Sequence, residues 1–219
     1  GVFFCKHLRM KNDIITAYMH HILEHGERPK TVFSFAKQTK LKEQEIYTHF
    51  TSFDSIEKSI FSLFFDNTME VLTKNDDYVN FESKDKLLSF YYTFFEILTA
   101  NRSYVLFALN KGLMHPNTQS QISLLKKNFL KFVSGLDIST MDIPNKKLNE
   151  FQEKSISHLG WSHLTFVLDF WMKDVSPGFE KTDILIEKSV NTGMHLANSQ
   201  PVKDVIDLGK FLYKEIKQR

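Results

Sequence analysis

The histidines near the N-terminus are the residues of this sequence that are spaced so that they could bind a metal ion. His21 and His25 are four residues apart, so on a helix both imidazoles would lie on one face, with His20 adjacent. Two histidines at this spacing can bind zinc, but a site also needs a third ligand with a carboxylate partner, and Glu24 falls on a different part of the helix. We therefore expect solvated histidines and no metal.

Signatures of catalysis are absent from the sequence, which has no glycine-rich phosphate loop, no G-x-S-x-G turn and no H-E-x-x-H pair. The single cysteine, Cys5, excludes a disulfide within the chain. It also lies in a segment, residues 1–11, that we expect to be a leader, which is a poor setting for a nucleophile. The sequence thus predicts a protein that is not an enzyme and uses no cofactor.

The composition is that of a folded helical protein. Of 219 residues, 42% are hydrophobic and 25% charged, with eight glycines and five prolines, which excludes disordered and collagen-like chains and favours long helices. The net charge of +2 excludes a histone-like polycation, so a nucleic-acid site would have to be a local patch. No run reaches the ~18 apolar residues of a membrane span, and we expect a cytoplasmic protein without membrane insertion.

Three short helices are predicted near the N-terminus. Apolar residues recur at every fourth position from Ile14 to Ile22, Thr31 is a suitable N-cap for a second helix, and Ile46 and Phe50 lie on a third. Two short helices joined by a tight polar turn form a helix-turn-helix, in which the second of the pair presents its N-terminal residues to the major groove of DNA.

A larger helical region follows. Asp54 with Glu57 three residues later predicts a capping box at the start of a fourth helix. The chain then divides into the leader, a helix-turn-helix domain over 12–56 and a helical body over 57–219. Further helices are predicted near 82–100, 102–112, 117–134, 146–174, 180–198 and 202–217.

The segment around the third helix resembles a known family. Ile46–Phe50 (IYTHF), followed by Ser52 and Asp54, matches in order and spacing the "LYxHF-x-S-x-E-x-L" signature of TetR-family DNA-binding domains. The resemblance covers residues 12–66, and Ser176–Asp183 is similar to Bacteroidetes-type members. It implies an all-α, TetR-like fold of nine to ten helices, with an N-terminal helix-turn-helix domain and a larger C-terminal domain for ligand binding and dimerisation.

The resemblance also implies which residues touch DNA. Phosphate contacts fall to Thr31, Tyr47 and His49, while the neighbouring lysines supply cations. We expect Phe50 to be a core residue and Tyr47 to pack its ring while its hydroxyl points outward. The complete set expected at DNA is Lys30, Thr31, Lys40, Lys42, Gln44, Tyr47, Thr48 and His49.

The sequence departs from the family pattern around this helix. Lys40 stands where a turn glycine is usual, so a left-handed backbone there would cost ~1 kcal/mol. Lys42 cannot cap the helix as the usual Ser or Thr does, and Phe53 replaces a basic residue. Glu43 and Glu45 suit the helix dipole but would repel phosphates if they faced DNA.

Aromatic residues are concentrated in the body, and the chain has 21 phenylalanines. Such clusters are compatible with an apolar ligand pocket, although an ordinary helical core uses the same residues. The residues expected at the pocket are Phe64, Phe90, Phe94, Tyr104, Phe107, Phe129, Phe166 and Phe170.

Two apolar stripes on the last long helices suggest a dimer interface, because two helices per subunit could pair across a two-fold axis. The alternative is that both stripes face the core of their own subunit. The residues expected at the interface are Gly160, Leu164, Val167, Trp171, Ile186, Val190, Gly193 and Ala197.

These features predict a homodimeric, TetR-type transcriptional regulator, a repressor that binds a palindromic DNA operator and releases it when a small apolar molecule occupies the body. The first 66 residues carry nine Lys/Arg against eight Asp/Glu, which is a weak charge for a DNA reader. The alternative is therefore a TetR-fold lipid- or isoprenoid-binding protein with a degenerate DNA-binding head. A helical adaptor for protein partners is a third possibility, which predicts large exposed apolar patches.

Overall fold

The computed structural model describes residues 2–136, 138 and 146–197. Within these ranges the chain forms ten α-helices and two short 3-10 helices, with no strand. The predicted all-α fold is confirmed. No helix in these ranges is long and apolar enough to cross a bilayer.

The helices alternate with short turns along the chain. Short 3-10 helices cover Asp76–Asn80 and Pro177–Phe179. The α-helices are α1 (Val2–His25), α2 (Val32–Thr39), α3 (Glu43–His49), α4 (Phe53–Thr73), α5 (Ser83–Ala100), α6 (Arg102–Ala108), α7 (Pro116–Gln121), α8 (Ser123–Ser134), α9 (Lys146–Lys173) and α10 (Glu180–Ala197).

Most predicted helices are found within one or two residues of their expected bounds, but four predictions need comment. The helix expected over 117–134 is divided at Ile122, where the backbone leaves the helical region (φ −88°, ψ 7°). The helix expected over 102–112 ends at Ala108, and residues 2–11, expected as a leader, are the first turns of α1. The helix predicted over 202–217 lies outside the described residues.

The chain divides into two compact units that do not follow the boundary predicted at residue 57. Unit 1 contains residues 1–70 and 94–129, and unit 2 contains residues 71–93 and those from 130 onward. The three N-terminal helices thus share unit 1 with α6, α7, most of α4 and α8, and the end of α5. Helix-turn-helix domains are too small to bury a large core alone, and this grouping extends the core available to them.

An aromatic cluster organises the N-terminal part of unit 1. Tyr18 is fully buried, and its ring lies 5.5 Å from that of Phe53 and 6.0 Å from that of Phe35. The rings of Phe35 and Phe53 are in turn 5.8 Å apart, edge to face, a favourable arrangement for aromatic pairs. These three side chains pack α1, α2 and α4 against one another, and Phe53 is half-buried in this cluster.

Unit 2 is built on the packing of α9 against α10. Leu164, Val167 and Trp171 on α9, and Ile186 on α10, are at most 1% exposed. Asp174 holds the connection between the two helices. Its Oδ1 accepts hydrogen bonds from the backbone N–H and the hydroxyl of Ser176, and its Oδ2 from those of Thr182, at 2.7–3.0 Å.

Candidate functional site

The turn between α2 and α3 gives unit 1 a helix-turn-helix. Helix α2 ends at Lys40, which adopts the left-handed conformation (φ 59°, ψ 21°), as the glycine position of the family requires. The backbone N–H of Leu41 then donates to the carbonyl of Ala36 at 3.0 Å, which closes the turn. Buried Phe35 and Ile46 face inward from α2 and α3, so the opposite surface of α3 is turned away from the core.

The outer face of α3 carries the polar residues predicted to meet DNA. Gln44, Tyr47 and Thr48 occupy positions i, i+3 and i+4 and are exposed, with 51% of Tyr47 accessible. The Thr48 hydroxyl donates to the carbonyl of Gln44 at 2.8 Å, which fixes its orientation. Phe50, predicted as a core residue, is 4% exposed. The more exposed Tyr47 ring is less packed than we predicted.

The helix ends explain two further residues of the predicted set. The Thr31 hydroxyl accepts from the backbone N–H of Ser34 at 3.0 Å and caps α2, which confirms its predicted role as N-cap. Lys42, as predicted, supplies no side-chain cap for α3. Instead the carboxylate of Glu45 accepts a hydrogen bond from the backbone N–H of Lys42 at 3.1 Å. This negative charge therefore stabilises the N-terminus of α3.

The predicted cations lie before α2 and in the turn between α2 and α3. Lys30, Lys40 and Lys42 are exposed, and none of them forms an ion pair with another residue in the described ranges. His49 is half-buried, with its ring 6.5 Å from that of Phe50. Every residue predicted to contact DNA is therefore at least partly accessible.

A charged cluster lies at the start of α4, where sequence reasoning predicted only a helix cap. Ser52 and Ser55 form the reciprocal cap instead, because each backbone N–H donates to the other hydroxyl. Glu57 is 6% exposed and accepts hydrogen bonds from Tyr18 (2.6 Å), Arg28 (2.6 and 3.1 Å) and Gln121 (2.9 Å). The predicted Asp54–Glu57 capping box is thus wrong.

Within this cluster the pKa values of Tyr18 and Arg28 are both raised. Burial, followed by the negative charge of Glu57 and its hydrogen bond, raises the pKa of the Tyr18 hydroxyl far above its usual value. Burial would lower the pKa of Arg28, but the hydrogen bond and the charge of Glu57 outweigh this and raise it. Tyr18 is therefore neutral and Arg28 charged at neutral pH.

A polar cavity of about 510 Å³ adjoins the cluster within unit 1. Its wall comes from the end of α1, the first turns of α4, the end of α6 and the whole of α7. The lining residues are Ile22, Arg28, Asp54, Glu57, Lys58, Phe107, Ala108, Asn110, Lys111, Asn117, Thr118, Ser120 and Gln121.

The eight residues predicted for an apolar pocket are dispersed. Phe107 lines the polar cavity. Phe166, by contrast, is 56% exposed on α9. Phe170 is half-buried. The five remaining residues, which are at most 4% exposed, are Phe64, Phe90, Phe94, Tyr104 and Phe129.

The apolar stripes predicted as a dimer interface face the core instead. Five of the eight residues, namely Leu164, Val167, Trp171, Ile186 and Val190, are at most 3% exposed within the single chain. The remaining three, Gly160, Gly193 and Ala197, keep some exposure. For the five buried residues the alternative reading applies, in which the stripes face the core of their own subunit.

The paired histidines of α1 stack on each other, and hydrogen-bond partners are present for the ring of His25, whereas His21 Nδ1 is buried without one among the described residues. The rings of His21 and His25 stack with centroids 4.2 Å apart. His25 Nδ1 bonds to the carbonyl of His21 at 3.0 Å, and its Nε2 to the Gln38 amide at 2.9 Å. These contacts hold α1 against α2.

Together, the helix-turn-helix in unit 1 and the surrounding helices define an all-α protein within the described residues. The family model described as "Tetracyclin repressor-like, C-terminal domain" matches residues 86–212, more than half of the chain. The chain therefore belongs to the TetR family, which confirms the resemblance seen around α3. Comparison with curated proteins gives no match.

Proposed function

We propose that this protein is a homodimeric, DNA-binding transcriptional regulator, a repressor that releases its operator when a small molecule binds. The observation that supports this most directly is the outer face of α3. Gln44, Tyr47 and Thr48 are exposed there, while Ile46 anchors the helix from its inner side. Amide and hydroxyl groups on one exposed helix face suit contacts to base edges and phosphates in a major groove.

The local charge is adequate for this function although the net charge is small. Lys30, before α2, and Lys40 and Lys42, in the turn before α3, are exposed and have no ion-pair partners in the described ranges. Glu45 is engaged with the backbone, which leaves Glu43 as the other acidic residue in the first turn of α3. Since a dimer presents two such surfaces, its phosphate contacts are doubled.

We place the dimer contact on the outward face of α9. Leu159 and Phe166 are seven residues apart, so they lie on one face of the helix, and they are 69% and 56% exposed. Phe170, one turn further, is half-buried. Exposed apolar residues in a row mark interaction surfaces. Phe166→Asp should therefore shift the protein from dimer to monomer in light scattering, whereas the exposed control Leu124→Asp should not.

Selection of random DNA duplexes on the purified protein at near-physiological salt tests DNA binding. The expected result is enrichment of an inverted repeat whose half-sites are about one helical turn apart. If folded, dimeric protein enriches no motif, the proposal is wrong. That outcome would favour the lipid- or isoprenoid-binding alternative, for which mass spectrometry of gently purified protein would then detect a retained lipid.

A double variant tests the surface. Tyr47→Ala with Lys42→Ala should lower the affinity for the selected operator about 100-fold, because it removes a phosphate contact and a cation. Tyr92→Ala with Lys127→Ala changes the same residue types outside the helix-turn-helix and should leave the affinity unchanged. Equal affinity of both double variants would rule out α3 as the reading helix.

The effector remains a prediction. We predicted an apolar effector because aromatic residues are concentrated in the body. Of the eight residues predicted for its pocket, Phe107 lines the polar cavity of unit 1 and the other seven do not. The cavity therefore gives no support to an apolar effector, and its own chemistry indicates a different class of ligand.

A further inference from the structure

The polar cavity of unit 1 has the dimensions of a small-molecule site. Its volume of about 510 Å³ falls within the ~300–1,000 Å³ of typical ligand pockets. Asp54, Lys111 and Asn117, which line it, are exposed, so solutes can reach it from solvent. Its composition is unusual, because most of the lining side chains are charged, amide or hydroxyl groups.

The balance of charge in the cavity favours an anion. Arg28 forms ion pairs with both carboxylates of the cavity. Its Nη2 lies 2.8 Å from Asp54 Oδ1 and 2.6 Å from Glu57 Oε2. Lys58 and Lys111 form no ion pair with any residue of the described ranges. The two lysines come from different elements, α4 and the segment after α6, so they provide two positive charges that a ligand can neutralise.

The wall also carries hydrogen-bonding groups whose capacity is unused. The Thr118 hydroxyl is buried, with the residue 1% exposed, and has no hydrogen-bond partner in the described ranges. Gln121 donates to Glu57, but its Oε1 is likewise buried without such a partner. Unsatisfied buried polar atoms cost ~1–3 kcal/mol each, and ligand hydroxyls could satisfy them.

From these three observations we propose that the cavity binds a small, hydroxylated anion, such as a sugar acid or a sugar phosphate. Lys58 and Lys111 would bind the carboxylate or phosphate. Thr118 and Gln121 would bind hydroxyl groups of the ligand, and Phe107 would cover its less polar side.

The position of the cavity links such a ligand to α3. Asp54 and Lys58 lie in the first two turns of α4, which begins four residues after α3 ends. A ligand that draws the start of α4 toward Lys111 would therefore move α3 with it. This regulatory consequence rests on the proposed function, whereas binding itself does not.

Isothermal titration calorimetry of the full chain without DNA tests the site. The probes are D-gluconate and D-glucose 6-phosphate, with D-glucose as the neutral control. We expect saturable binding of at least one anion, weakened by added salt, and no binding of glucose. Binding of one anion alone assigns the head group as carboxylate or phosphate. Absence of binding for both anions at millimolar concentration, or equal binding of glucose, would overturn the proposal.

Variants locate the binding. Lys58→Met and Lys111→Met should each weaken binding at least ~10-fold, whereas Lys127→Met, an exposed lysine outside the cavity, should have no effect. Thr118→Val should weaken binding without lowering the melting temperature of the free protein, since it removes an unsatisfied hydroxyl and keeps the shape. Anion binding that none of the cavity variants alters would place the ligand elsewhere and contradict the proposal.

The two proposals fail separately. Calorimetry without DNA can succeed even if no operator is found, and an operator can be selected even if no anion binds. With both in hand, the bound anion should change operator affinity for the wild-type protein and have no effect on Lys111→Met.

Discussion

The guanidinium of Arg28 and the carboxylate of Glu57 are joined by two hydrogen bonds, Nη2 to Oε2 at 2.6 Å and Nε to Oε1 at 3.1 Å. The same carboxylate accepts from Tyr18 of α1 and Gln121 of α7. Four segments of unit 1 thus meet at one buried charge. Such a charge is stable only while its partners remain in place.

Glu57→Gln should destabilise the protein by about 3 kcal/mol. The amide would turn an N–H₂ group toward the Arg28, Tyr18 and Gln121 donors and leave the guanidinium without its buried counter-charge. Urea unfolding followed by circular dichroism measures the loss. Glu24→Gln, an exposed glutamate of α1, is the matched control, and equal stability of the two variants would contradict the importance of this cluster.

Lys40→Gly should stabilise the protein by about 1 kcal/mol, because glycine adopts the left-handed conformation of this residue without steric cost. Lys37→Gly, three residues earlier within α2, should destabilise it by about the same amount. The two changes remove the same side chain, so thermal unfolding of the pair isolates the backbone effect. A loss of stability for Lys40→Gly would show that the side chain matters more than the strain.

Asp174→Asn should destabilise unit 2 at neutral pH by about 2–3 kcal/mol, since it weakens four hydrogen bonds to a buried carboxylate. Burial would raise the pKa of Asp174, but hydrogen bonds from Ser176 and Thr182 outweigh burial and lower it to about 2. The stabilisation is therefore complete above the ordinary aspartate pKa, about 4, and disappears as the pH falls toward 2.

Urea unfolding of wild type and Asp174→Asn at several pH values checks this sign. The stability difference should shrink in acid and stay constant between pH ~5 and ~8. The exposed Asp13→Asn should show neither effect. A difference that grows in acid would refute the assignment of a charged, hydrogen-bonded Asp174.

His163 should make stability fall below neutral pH. Its Nδ1 bonds to the Tyr91 hydroxyl at 2.6 Å and its Nε2 to Ser189 Oγ at 2.7 Å. Because Ser189 gives its own proton to the carbonyl of Leu185, the neutral ring donates from Nε2 and accepts at Nδ1. Burial lowers the pKa of His163. As the pH falls, the unfolded chain therefore binds a proton at this histidine before the folded protein does.

The free energy of unfolding should therefore decrease as the pH is lowered from about 7.5 to about 5.5. His163→Gln should remove part of this slope while His158→Gln, at an exposed histidine of the same helix, should not. The pKa of His21 is also lowered by burial, so some slope remains. An unchanged slope in His163→Gln would mean that His163 titrates normally.

Local signals in the sequence were reliable where a residue's own neighbours decide its conformation. Thr31 caps α2 by a hydrogen bond three residues away, and Gly26 takes a positive φ of 67° at the end of α1. Lys40 is left-handed at the turn position where the resemblance implies a glycine, despite the cost expected for a residue with a Cβ. The family was predicted from the same short stretch, because Ile46–Phe50 resembles the signature of TetR-family DNA-binding domains.

Glu57 marks the limit of that reasoning. Its spacing from Asp54 is that of a capping box, and the sequence holds no sign of Tyr18, Arg28 and Gln121, which lie 39, 29 and 64 positions away. Partners at such separations become neighbours only when α1, α4 and α7 pack together.

By itself the sequence determined the helical class and most helix ends, because these depend on periodicity and capping within a few residues, and the resemblance of one short motif indicated the family. Tertiary structure alone decided what covers each apolar face. Periodicity shows that Leu164 and Trp171 share one side of α9, but only the tertiary packing buries that side. It likewise leaves Phe166 outside and brings Lys58, Lys111 and Thr118 to one cavity.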